Sequence, residues 1–144
     1  MTGKAERVVI TGMGIASPLG CSVQEFWEGL LAGRSGVGSL EGGIFSGMHT
    51  KIGAVVWEFD ENKYFDIKDI RRMSRTSQLG MVAAEQAIKQ SKLDNGAVNR
   101  EEVGVMVGSS IGGYSAADPY FMHFYKSDRL SPYTIPVSMN IGPC

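Results

Sequence analysis

The sequence is poor in the residues that build metal centres, disulfide frameworks and membrane spans. Of 144 residues only two are cysteine, Cys21 and Cys144, and two are histidine, His49 and His123. The cysteines stand far apart without CxxC or Cys/His spacing, which suggests neither a zinc site nor a disulfide framework and fits free thiols in a reducing cytosol. No run of about 18 apolar residues is available to cross a bilayer. Fourteen basic residues against fifteen acidic give a net charge of -1. That balance is wrong for a general nucleic-acid or membrane-surface binder, which needs an overall positive field. The first seven residues lack the apolar core and small-residue cleavage site of a secretory signal, so an intracellular, cytoplasmic protein is expected. The length leaves room for one domain and none for a two-domain enzyme with a cleft between its halves.

What the chain does have is glycine, at 19 positions, and an alternation of β-branched runs with helical patterns. Residues 7–11 (RVVIT) form a short apolar run without polar alternation, as in a strand covered on both faces. Gly12, Gly14 and Pro18 break it. Ser22 with Glu25 three residues later reads as a capping box, and Phe26/Leu30 and Trp27/Leu31 follow at i,i+4 spacing until Gly33 stops the helix. Residues 36–50 read as a loop and 51–56 as a second strand. Residues 66–73 predict a short helix. Ser74 or Thr76 starts a longer one with Leu79, Val82, Ala83, Ala87 and Ile88 on one stripe, ended by Asp94-Asn95-Gly96. Residues 103–107 (VGVMV) predict a third strand, and a helix follows from about 115 to 125. Pro132 and Pro136 then enforce an extended connection. Strands separated by helices point to an α/β layered fold. The chain reads as unfinished at Cys144, since an apolar segment begins at Val137 with no terminal signal after it.

Several patterns could carry chemistry. Gly12-x-Gly14 after a strand invites a dinucleotide reading, but Ser17 holds the third glycine position and the helix starts only near Ser22. Residues 108–113 (GSSIGG) lack the lysine and spacing of a phosphate loop; glycines there bring backbone close to another segment or a narrow substrate. Lys68, Arg71, Arg72 and Arg75 stand at i, i+3, i+4 and i+7, which would put four cations on one helical face. Two readings stand for that face: a solvated surface, or a docking site for an acidic or phosphorylated partner that offsets the mutual repulsion of the cations. Neither histidine has a carboxylate or cysteine at ligand or triad spacing, and Ser17, Ser109 and Ser110 lie outside any GxSxG. Cys21 would be a nucleophile only if a base reached it.

Six segments together resemble a known family. They are RVVITGMGIASPLG (residues 7–20), LLAGRSG (30–36), RRMS (71–74), AAEQAI (83–88), VGVMVGSSIGG (103–113) and SPYTIPVSMN (131–140). In this order, and over essentially the whole chain, they resemble the N-terminal part of β-ketoacyl-[acyl-carrier-protein] synthases, the condensing enzymes of fatty-acid synthesis. The resemblance implies the N-terminal part of a thiolase-like α/β fold with an αβαβα layered core, a homodimer when complete, and neither cofactor nor metal. It implies acyl transfer to a cysteine and decarboxylative condensation onto malonyl held by a small acidic acyl carrier protein.

The resemblance also assigns residues. Lys68, Arg71 and Arg72 match positions that present cations to the carrier protein, with Arg75 extending the patch. Ile111 matches a residue at the acyl-chain pocket, and Thr134 and Ser138 match positions lining that pocket near the dimer partner. The nucleophilic cysteine, both catalytic histidines and the lysine lie further downstream in the family. Cys144 matches a pre-nucleophile position, and His49 and His123 match no catalytic histidine. The 144 residues are therefore expected to be inert alone, as part of a condensing enzyme. A non-catalytic carrier-binding module, a fragment of a polyketide ketosynthase or chain-length factor, and a nucleotide-binding fragment are the alternatives.

Overall fold

A serine hydroxyl decides where the first helix begins. Ser22 holds an extended backbone, and its hydroxyl accepts the N–H of Glu25 at 3.2 Å, which starts α1 at Val23–Leu31. The Glu25 carboxylate accepts the N–H of Cys21 at 2.9 Å. The capping box thus closes one residue upstream of the Ser22 N–H that the motif ordinarily engages. At the other end Gly33 turns left-handed, with φ 65°. Its N–H gives to Leu30 O at 3.0 Å while Arg34 N–H gives to Gly29 O at 2.9 Å, the paired bonds that satisfy the last carbonyls of a helix.

The computed structural model describes residues 7–93, 95–96, 98–109 and 112–132, apart from the side chains of Ile44 and Ser115. After α1, β1 (Gly38–Ser39) pairs antiparallel with β2 (Ile52–Gly53), Gly38 opposite Gly53 and Ser39 opposite Ile52. Leu40 is buried just beyond β1 and lies on Gly53, where a Cβ would come within 2.7 Å of Leu40 Cδ1. The stretch read as pure loop therefore contains β1 and a 3-10 turn at Gly43–Phe45, and the strand read over 51–56 shrinks to two residues.

Asp66 caps α2 (Ile67–Ile70), its carboxylate accepting from the N–H groups of Lys68 and Asp69 at 3.1 Å. Four residues later Ser74, almost fully buried, caps α3 (Arg75–Ser91) by accepting from Ser77 N–H at 3.1 Å. Two caps so close together divide what the cation spacing would make one helix. α3 ends at Ser91 with Lys92 left-handed, before Asp94 is reached. α4 (Tyr114–Ser127) begins at left-handed Gly113 and is a little longer than its sequence pattern suggests. Val82 of α3 and Ala117 of α4 are buried, as are Leu40 and Phe59.

The main correction concerns the other two expected strands. Residues 7–11 and 103–107 lie in no strand among the described residues. Their side chains are in solvent: Val8 is 96%, Ile10 82%, Val105 87% and Met106 97% exposed. A β-branched run prefers a pleated, half-buried surface, so its preference is realised only when neighbours supply the ladder and the cover. The described residues thus hold helices and a small sheet of an α/β arrangement, with no αβαβα layering seen among them.

Candidate functional site

The glycine pair that invited a dinucleotide reading is spent on packing. A Cβ on Gly12 would run into the carbonyl oxygen of Ala87, and one on Gly14 into that of Ala83, so both glycines let this segment lie directly on the backbone of α3. Two glutamine side chains on α3 then stand in for a neighbouring strand. Gln90 Oε1 accepts from Met13 N–H at 2.6 Å, and Gln86 Oε1 accepts from Ile15 N–H at 3.2 Å. Gln86 Nε2 donates to the carbonyls of Ile15 at 3.2 Å and Cys21 at 2.7 Å. With their Cβ space closed by a helix, Gly12 and Gly14 do not offer backbone to a pyrophosphate. Sequence reading missed both glutamines; their i,i+4 spacing on α3 was the available signal.

Beyond the clamp, Ser17 and Gly20 exchange backbone hydrogen bonds of 2.9 and 3.1 Å around Pro18-Leu19. A cavity of about 680 Å³ opens beside this turn, with Cys21, Glu58, Trp57 and Tyr64 among its walls. Burial pushes the Cys21 thiol up, and the neighbouring Glu25 carboxylate adds to it, outweighing the Ser17 backbone hydrogen bond and the more distant Arg75 charge. A thiol held protonated beside acids is a poor nucleophile. Iodoacetamide should therefore alkylate Cys21 at pH 8 more slowly than it alkylates a free cysteine, as read by mass mapping of the Cys21 peptide. Alkylation at or above the free-thiol rate would contradict this.

The basic face resolves into two environments. Lys68 lies in α2 and Arg71 at its C-cap, both exposed, and neither makes an ion pair with a described residue. Arg72 follows in the turn toward Ser74. Arg75 is different. As the first residue of α3 it pairs with Glu61 at 3.0 Å, donates to Val56 O at 3.0 Å and lies 4.5 Å from the centre of the Phe59 ring. Phe59 in turn stacks on Tyr64 at 5.3 Å. Arg75, expected to extend the patch, is thus held by three partners as a tie between α3 and the preceding loop.

The Gly-rich stretch before α4 packs against the start of α3. Gly112 N–H gives to Ser109 Oγ at 3.0 Å, and a Cβ at Gly112 would come within 2.9 Å of Thr76 Cγ2. Ile111, Thr134 and Ser138, expected at an acyl pocket, lie outside the described residues, as do Ser110 and Cys144. His49 and His123 are exposed. No group of His, Cys, Asp and Glu among the described residues could hold a metal ion, and no described helix is long and apolar enough to cross a membrane.

Comparison with known proteins adds the following. A family profile described as the β-ketoacyl synthase, N-terminal domain, matches residues 5–144. The chain is similar to 3-oxoacyl-[acyl-carrier-protein] synthase 2 of Synechocystis sp., with 35% identity over 134 residues, 92% of this chain and 32% of the relative. It is 39% identical to the enzyme of the same name from Coxiella burnetii over 132 residues, 90% of this chain and 32% of the relative. Its fold is similar to a solved structure of a type II polyketide acyl-carrier protein in complex with its ketosynthase bound to the hexaketide. That likeness has a TM-score of 0.68 at 24% identity and covers 88% of this chain and 33% of that one. The chain spans about a third of the length of the curated relatives it matches.

Proposed function

The chain belongs to the β-ketoacyl synthase family, and from that premise we propose that it is the N-terminal part of a 3-oxoacyl-[acyl-carrier-protein] synthase of fatty-acid elongation. The whole enzyme is an acyltransferase that works as a cytoplasmic homodimer on a thiolase-like αβαβα core. An acyl group moves from its carrier thioester to an enzyme cysteine, releasing the carrier thiol. Malonyl on a second carrier then loses carbon dioxide, and the carbanion left behind attacks the acyl thioester and expels the cysteine thiolate. The nucleophile and its proton-handling partners lie in the part of the enzyme beyond these residues. Cys21, a protonated thiol beside Glu25, does not serve as that nucleophile.

This segment contributes recognition. Lys68, Arg71 and Arg72 receive the acidic carrier protein, and Ile111, Thr134 and Ser138 line part of the acyl pocket. The observation that carries the docking role is the pair of exposed cations, Lys68 and Arg71, left without ion-pair partners among the described residues. Unpaired surface cations draw an anionic partner in and orient it more than they tighten the final complex. Reversing both charges in the full-length enzyme should raise the apparent KM for acyl-carrier substrates about tenfold and flatten its salt dependence, with kcat nearly unchanged. Unaltered KM at low salt would overturn the docking assignment.

A further inference from the structure

Arg75 stands at the wrong end of its helix for a cation. As the first residue of α3 it meets the N-terminal end of the helix dipole, where positive charge is disfavoured. Its contacts lie instead across the chain. The ion pair with Glu61 spans 14 residues and the hydrogen bond to Val56 O spans 19, while the guanidinium also covers the Phe59 ring. Between these ends the backbone bonds are local. Asp60 caps the 3-10 turn at Glu61–Lys63 and Asp66 caps α2. The N–H groups of Lys63, Tyr64 and Phe65, and those of Ile70, Arg71, Arg72 and Met73, give to carbonyls three or four residues back. Helical turns this short have little stability of their own. The same stretch lends Val56, Trp57, Glu58, Lys63 and Tyr64 to the wall of the cavity beside Cys21.

We propose that residues 56–74 act as a strap that opens and closes as one unit over this cavity, with Arg75 as the clasp that holds it shut. The clasp works through shape more than through charge. The Arg75–Glu61 pair is exposed, with 42% and 35% of the two side chains in solvent, and such pairs contribute little. The planar guanidinium does what an ammonium cannot: it reaches a carboxylate and a backbone carbonyl with separate nitrogens and lies over a ring. The strap needs no carrier protein on α2 to act.

The test is amide hydrogen exchange in the full-length protein, which reads local opening directly. Arg75→Ala should raise exchange at residues 63–65 and 70–73 by a common factor of about tenfold or more, while the amides of α1 and α3 keep the parent's rates. Arg75→Lys should give an intermediate rise, and it carries the test if the alanine variant does not fold. Glu61→Gln, which keeps an accepting oxygen, should stay within about threefold of the parent. Alkylation of Cys21 is a second readout. The Arg75 charge lowers the thiol pKa, so its loss alone would slow iodoacetamide. An open strap does the reverse, and Arg75→Ala should speed alkylation about threefold at pH 8 by mass mapping. Unchanged exchange at 63–65 and 70–73, a rise in one group alone, or a rise running equally through α1 and α3 would overturn the strap, as would slower alkylation of Cys21.

Discussion

Replacing Gly14 by valine should destabilise the folded protein by about 3 kcal/mol or more, among the larger effects a single substitution can have. The reason is geometric. A Cβ at residue 14 would run into the carbonyl oxygen of Ala83 and stand 2.8 Å from both the Ala83 carbonyl carbon and Gln86 Cβ. Two of these obstacles are helix backbone, which cannot rotate aside as a flexible side chain would. The segment would have to lift from α3, and lifting it strands the hydrogen bonds that Gln86 makes to Ile15 and Cys21. Each such bond is worth roughly 0.5–1.5 kcal/mol net, so the steric and polar losses act together. Gly80, on α3 itself, is the internal control, because nothing stands within 4 Å of its missing Cβ. Gly80→Ala should be neutral or stabilising by up to about 1 kcal/mol through helix propensity. Urea unfolding of the two variants decides the matter. A Gly14→Val change below about 0.5 kcal/mol would mean that the close approach to α3 contributes nothing.

Local signals were legible where the cause is local. Ser22, Asp66 and Ser74 each supply an oxygen to an N–H two or three residues on, and Gly33 supplies a left-handed backbone; these interactions close within one turn, so sequence spacing suffices to find them. The same physics explains the break in the basic helix. A cation stripe at i, i+3, i+4 and i+7 promises one face only if the helix is continuous, and the Ser74 cap interrupts it before Arg75. What Arg75 does instead depends on Glu61, Val56 and Phe59, which are fourteen or more residues away and carry no spacing signature. Gln86 and Gln90 offered only their i,i+4 spacing on α3, since their partners lie 65 or more residues upstream. The family was legible because a whole ordered set of short motifs identifies it, whereas no single motif does.

Expressed by itself, the 144-residue chain should self-associate and bind an apolar dye such as anilinonaphthalene sulfonate. Two β-branched segments carry the expectation: Val8, Val9 and Ile10 in one and Val105, Met106 and Val107 in the other are all exposed. Burying an aliphatic side chain of this size is worth about 1.5–3 kcal/mol, so a handful of them rivals the roughly 5–15 kcal/mol that holds a whole domain together. Apolar runs with unpaired backbone also template pairing with any other strand edge, including that of a second copy. Curated relatives are about three times as long, and if this chain is part of such an enzyme, as proposed above, the remaining polypeptide would cover these segments. Co-expression with that polypeptide should therefore abolish dye binding. Lysine at Val9 and Met106 supplies the discriminating arm: it should make the isolated chain more soluble while weakening the full-length enzyme, because the same positions would then be charged inside a sheet. A dye-free monomer of 15.5 kDa with cooperative unfolding would sink the idea, and would require that residues 7–11 and 103–107 find cover within this chain.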